Sequence, residues 1–172
     1  GKDVTVNLEE GKALSGAEFS TANGKAKIKD MNFGSYKLIE VKAPNGYKTA
    51  APVPFELKAN GGDPAIELDV KDEALKNKIR ITKIDKETGA TLGAGYVFNV
   101  FAAEDIVDGS GAVRTGYTKD SVVDTITTDA SGVAVSKDLF PGKYYIQETK
   151  VSGDGHAINT EKYYTEVKIS DT

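Results

Sequence analysis

The sequence predicts an all-β protein made of two tandem β-sandwich domains, and three observations carry that prediction. Short runs alternate apolar and polar side chains, the period of a strand with one buried face. Turn formers (Gly, Pro, Asn, Asp) separate them, in pairs such as NG, DG and SG. Most tellingly, the chain repeats itself. Setting Gly34 on Gly142 brings Tyr36, Leu38 and Glu40 onto Tyr144, Ile146 and Glu148 without a gap.

The elements follow in order. The first copy reads as strands at DVTVNL (3–8), YKLIEV (36–41), VPFELKA (53–59) and AIELDV (65–70). EALKN (73–77) suits either a helical turn or a strand entry. The second copy supplies KIRITKI (78–84), YVFNVF (96–101), VVDTITT (122–128), YYIQET (144–149) and KYYTEVKI (162–169). FAAEDIV (101–107) has enough helical character for a turn or two. The repeat extends further: EGKALSGAEF echoes TGATLGAGYVF, TANG echoes TDASG, and VPFELKA echoes KYYTEVKI. The join falls near Asn77 and Lys78, giving a short first domain over 1–77 and a second over 78–172. Two sandwiches in line, hinged near 72–77, are expected, the first one or two strands poorer. The second carries an insert at 99–127, expected as a hairpin plus the AAEDI turn.

Composition narrows the function. A net charge of -4 over 172 residues offers no basic surface for nucleic acid or anionic membrane. No apolar run reaches the ~20 residues of a membrane span. With no leader pattern at its start, the sequence reads as a segment of a longer protein. The absence of cysteine fits a reducing compartment, or equally an exported protein cross-linked by other means. One histidine and no cysteine leave little for a metal site, and no phosphate loop, nucleophile elbow, zinc spacing or glycosylation sequon occurs. No cofactor is expected. His156 reads as a loop residue, and DIVDGSG (105–111) as a turn without the alternating acids of a calcium loop.

The chemistry lies in two inward-pointing groups. Where Ile79 and Ile81 face a core, Lys83 and Asp85 share their phase, and Glu148 shares that of Tyr144 and Ile146. Burial favours the neutral form of both an amine and a carboxyl. A neutral amine is a nucleophile, and a protonated acid can polarise an amide carbonyl and carry its proton. Held beside an Asn or Asp side chain, such a pair could form an amide bond once, through proximity. The plainer reading of Lys83 with Glu148 is a buried ion pair that fixes register.

The combination KxDxxTGxxL, TDxxG and GxYxxxExxAPxGY is carried by ITKIDKETGATL (81–92), TTDASGVAVSKDLFPGKYYIQETK (127–150) and GSYKLIEVKAPNGY (34–47). Twice over, it resembles the Cna B-type domains of Gram-positive surface adhesins and pilins. That resemblance implies immunoglobulin-like or prealbumin-like sandwiches in which a first-strand lysine bonds to a last-strand Asn or Asp, assisted by the YxxxE glutamate. It maps the lysine onto Lys83, the assisting acids onto Glu40 and Glu148, and the acceptor of the first copy onto Asn77. It also implies a cell-wall-anchored extracellular protein, with host matrix protein or neighbouring pilin domains as partners.

Departures qualify the mapping. The first copy has Thr5 or Val6 where the lysine belongs, and Lys2 lies roughly 13 Å from Val6 along a strand. Glu40 with Asn77 therefore reads as a hydrogen-bonded polar pair. The second copy has no acceptor at the matching step: Glu40 to Asn77 is 37 residues, and the same step from Glu148 reaches 185, past Thr172. Its final strand is expected to be missing from this chain, leaving the edge beside Lys83 unpaired and Lys83 unbonded. The leading function is a structural stalk or adhesin segment, not a turnover enzyme, because the two glutamates sit in separate repeats and cannot share one site. The alternative is a module binding host protein or carbohydrate through the 99–127 insert, whose aromatics are Phe101 and Tyr117.

Overall fold

A computed structural model describes residues 7–13, 17–59, 66–153 and 155–168. Among them the secondary structure is all strand, with no helix, and the chain divides into two compact units. The first unit takes Gly1–Glu40 and Ala51–Val70; the second takes Val41–Ala50 and Lys71–Thr172.

In the first unit, β1 (Asn7–Glu10) pairs with β4 (Lys27–Lys29), and β2 (Lys12–Ala13) with β3 (Phe19–Ser20). β5 (Gly34–Leu38) takes the first half of the YKLIEV run, and residues 39–41 lie beyond the strand. β5 is antiparallel to β7 (Val53–Leu57), while the intervening β6 (Tyr47–Lys48) belongs to the second unit. Tyr36 lies opposite Phe55 with ring centroids 5.5 Å apart, the kind of cross-strand pair that holds a two-stranded ribbon. Tyr36, Leu38 and Glu40 alternate with exposed neighbours as their period requires, but none is more than half-buried. No side chain described in this unit is fully buried.

The second unit holds the core. Its elements are β6, β8 (Glu73–Ala74), β9 (Arg80–Thr82), β10 (Val97–Ala102), β11 (Val122–Thr127), β12 (Val133–Val135), β13 (Gly142–Lys150) and β14 (Tyr163–Val167). Antiparallel neighbours give a four-stranded sheet in the order β11-β10-β13-β14, with β9 pairing β12 and β6 pairing β8. Inward residues of the large sheet (Phe98, Val100, Ala102, Val123, Ile126, Tyr144, Ile146, Val167) close one core with Ile79 and Ala134 of the β9–β12 layer. This is a two-layer sandwich.

The repeat is written into the backbone. Gly24 and Gly132 have φ of 76° and 75°, and Gly34 and Gly142 have 154° and 148°. Tyr36 and Tyr144 each donate a 2.6 Å hydrogen bond to the carbonyl four residues earlier, Asn32 and Phe140.

Several local expectations change. Residues 66–70 of AIELDV form no strand. FAAEDIV is not helical: Phe101 and Ala102 finish β10, and Ile106 is buried as its amide bonds to the Tyr117 carbonyl. Residues 72–77, expected as a hinge, are built into the second unit. There β8 pairs β6, Leu75 N–H bonds to Gly46 O, and Asn77 exchanges backbone hydrogen bonds with Leu139. The loop 41–50 joins them: Tyr47 Oη accepts from Gly109 N and from Arg114 Nη2, whose guanidinium stacks 3.9 Å over Phe140.

A Cβ on Gly132 would collide with the Leu92 carbonyl oxygen, whereas nothing lies within 4 Å of one on Gly24. Gly132→Ala should therefore cost about 2–4 kcal/mol, through positive φ and clash together, and Gly24→Ala only about 1 kcal/mol. Denaturant midpoints of the two variants, compared with the parent chain, check this ordering.

Candidate functional site

Lys83 sits where β9 runs into its turn. Ile79 is buried, Ile81 and Lys83 are half-buried, and Arg80, Thr82 and Ile84 between them are exposed, so the lysine keeps the inward phase. Its backbone is clamped from both sides: Lys83 N–H donates to Gly132 O at 2.8 Å and Leu92 N–H donates to Lys83 O at 2.9 Å. Asp85 shapes the turn that follows. Its Oδ1 accepts from Glu87 N, Thr88 N and Thr88 Oγ1, so the Asp and Thr of KxDxxTG serve to aim the strand. Asp129 does the same for the turn holding Gly132, accepting from Ser131 N, Ser131 Oγ and Val133 N.

Glu148 comes from β13, opposite Phe98 of β10. The register slips between Val97 and Phe98, so the strand bulges next to the glutamate, a device that re-aims a side chain. Its carboxylate is 1% exposed. Oε2 accepts the Asn159 amide N–H at 2.7 Å, while Oε1 has no other hydrogen-bond partner and faces Lys83 Nζ at 2.8 Å. The lysine side chain is 18% exposed, with its amine 5.3 Å from the Tyr96 ring centroid and 5.9 Å from that of Phe98. His156, exposed in its loop, stands edge-on to Tyr96.

The arrangement can pass one proton. Moving it from ammonium to carboxylate turns a buried ion pair into a neutral amine beside a neutral acid, with no charge left to desolvate. Asn159, whose backbone amide meets Glu148, donates its side-chain amide to Tyr163 Oη and accepts from Glu161 N–H. β9 pairs with β12 alone, so its other edge has no described strand beside it. Lys83 N–H donates to Gly132 O and Ile79 O accepts from Ser136 N–H, the two residues that flank β12. By alternation, Arg80 and Thr82 direct their backbone groups at the free edge.

The remaining sequence candidates fall elsewhere. Glu40 is half-buried two residues past the end of β5, in the first unit. Asn77 belongs to the second unit, exposed, with its Oδ1 accepting from Lys78 N. Lys2, Thr5 and Val6 lie outside the described residues. In the insert, Tyr117 is buried against Phe140 and Phe101 stacks on Tyr145 at 4.7 Å, so both aromatics are engaged in packing. Asp108 caps its own turn through Ser110 and Ala112. No group of three potential metal ligands occurs among the described residues.

Two predictions follow from this geometry. Glu148→Gln leaves the lysine without its counter-charge and should destabilise the chain by about 2–3 kcal/mol, below the value for a fully buried pair because Lys83 retains some solvent. Equilibrium denaturation measures it. The turn hydrogen bonds hold the Asp85, Asp108 and Asp129 carboxyls below their usual 3.8, led by Thr88 N–H for Asp85 and by the Ser110 and Ser131 hydroxyls for the others. With folded values depressed, their stabilisation is complete above the ordinary carboxylate range and is lost as pH falls through the folded values. Melting temperature should therefore drop below about pH 4, and less steeply for Asp129→Asn.

Comparison with known proteins agrees with this architecture. The family model for the SpaA prealbumin-like fold domain matches twice, over residues 2–73 and 77–172. No curated protein sequence matches significantly. Among solved structures, the Bacillus anthracis TIE protein is 25% identical with a TM-score of 0.64, over 97% of this chain and 29% of that one. The shaft pilin SpaA of Lactobacillus rhamnosus GG is 20% identical over 85% of this chain and 63% of its own, with a TM-score of 0.40. The T6 backbone pilin of serotype M6 Streptococcus pyogenes is 26% identical over 62% of this chain and 20% of its own, also at 0.40. This chain thus spans under a third of the TIE protein's chain. With both copies matched along nearly their whole length, the chain belongs to the SpaA prealbumin-like fold domain family.

Proposed function

We propose that this chain is a load-bearing segment of a bacterial surface protein, and that its second domain is built to be locked by an isopeptide bond from Lys83. The single observation that carries the reading is the Lys83–Glu148 pair, 2.8 Å apart, the glutamate almost wholly and the lysine largely withdrawn from water, beside an edge of β9 that has no partner strand among the described residues. Lys83 Nζ attacks the side-chain carbonyl carbon of an Asn or Asp presented by a strand that adds to the free edge of β9. Glu148 takes the amine proton and polarises the carbonyl. A C–N bond forms, and ammonia leaves from Asn or water from Asp. The event happens once per molecule, so the domain is its own product and not a turnover enzyme. Closing a loop of about 100 residues this way adds up to ~4–5 kcal/mol through the unfolded state, by analogy with a disulfide. The partners that suit such a segment are neighbouring surface-protein or pilin domains on the outside of the cell, or a host matrix protein.

Peptide mapping of the protein isolated from its own cells tests this. The Lys83 peptide should be recovered joined to an Asn or Asp peptide, lighter than the sum of the two by one ammonia or one water, and Glu148→Ala should return it linear. Recovery of Lys83 as an ordinary linear peptide from the protein isolated from its own cells would contradict the proposal.

A further inference from the structure

Another edge of the sandwich is of a different kind. β14 is one of the two outer strands of the four-stranded sheet, and no strand lies beyond it among the described residues. It is short and aromatic, with Tyr163 50% and Tyr164 69% exposed. An unpaired edge offers a row of backbone donors and acceptors to another strand. Tyr164 lies opposite Tyr145 and Glu166 opposite Lys143, on the face away from the core. Lys162 shares that face, its amine 4.3 Å from the Tyr145 ring centroid. Lys162, Tyr164 and Glu166 therefore form one alternating row, a cation and an anion either side of an aromatic ring.

That row is complementary to itself. We propose that β14 pairs antiparallel with β14 of a second copy of this chain, about a two-fold axis at Tyr164. In such a pair only registers that oppose residues of like parity bring the free backbone groups together. Centring on Thr165 sets Lys162 against Lys168, and centring on Glu166 sets two glutamates face to face. Centring on Tyr163 opposes Lys162 to Tyr164 and matches no ions. Centring on Tyr164 places Lys162 against Glu166 of the second copy on both sides of a tyrosine pair. Cross-strand pairs of opposite charge and of aromatics are the favourable ones. Glu166 at present reaches Lys168 at 3.4 Å in a well-exposed pair, which is weak and readily exchanged. The interface is small, so the dimer is a weak one, formed at micromolar to millimolar concentration. It uses the opposite sheet from Lys83, so its failure leaves the isopeptide reading untouched.

Sedimentation equilibrium of the intact chain, with charge-reversal variants, tests the register. The parent should dimerise. Lys162→Glu and Glu166→Lys should each raise the dissociation constant about tenfold, because two attractive pairs become repulsive. The double variant should regain the parent value, which also shows that the single variants had not merely unfolded. The chain has no cysteine, so Tyr164→Cys should cross-link to itself under mild oxidation while Thr82→Cys, at the β9 edge, should not. A chain that stays monomeric into the millimolar range would overturn the proposal, its lysines then serving as guards against edge pairing. A double variant as weak as the singles, or preferential cross-linking at Thr82, would overturn it as well.

Discussion

Taking a lysine and a glutamate out of water together is tolerable only when their geometry returns what desolvation removes. The second unit is arranged around that requirement. The Asn159 amide satisfies one oxygen of Glu148, the Lys83 amine meets the other at 2.8 Å, and Tyr96 and Phe98 wall the lysine in. Each support is itself fixed by something local: the bulge beside Glu148, the Asp85 turn after Lys83, and the close approach of Gly132 to the Leu92 carbonyl. The motif residues around the pair thus act as its mounting.

The two repeats share local geometry and differ in burial. Both keep the glycine dihedrals and the tyrosine-to-carbonyl hydrogen bond. Among the described residues the buried core lies in the second unit, where Glu148 faces the half-buried Lys83. The first copy has Thr5 or Val6 at the aligned position, and its described side chains remain half-buried or exposed. Its KAPNGY loop (42–47) instead completes the second unit, where Tyr47 meets Arg114 and Gly109.

Much of this was legible in the sequence because it rests on period and repetition. A two-residue period sufficed to put Lys83 and Glu148 on inward phases, and the gapless repeat sufficed to pair Gly24 with Gly132. Elements decided by tertiary context were not legible. AIELDV alternates well yet forms no strand over 66–70, while VAV and KIK, short and unremarked, do form strands. FAAEDI has helical composition, but Phe101 and Ala102 are claimed by the ladder of β10, where packing outweighs propensity. The role of Asn159 had no sequence signal at all, since it acts through its backbone amide.

The central claim is that Lys83 and Glu148 act as one unit in a largely dry site, and a double-mutant cycle addresses it most directly. Lys83→Met, Glu148→Gln and the double variant, each unfolded in denaturant, yield the coupling free energy between the two side chains. A functional buried pair predicts coupling of at least about 1.5–2 kcal/mol, with the double variant more stable than the sum of the singles allows. Additivity within about 0.5 kcal/mol, the behaviour of an exposed surface pair, would contradict the account.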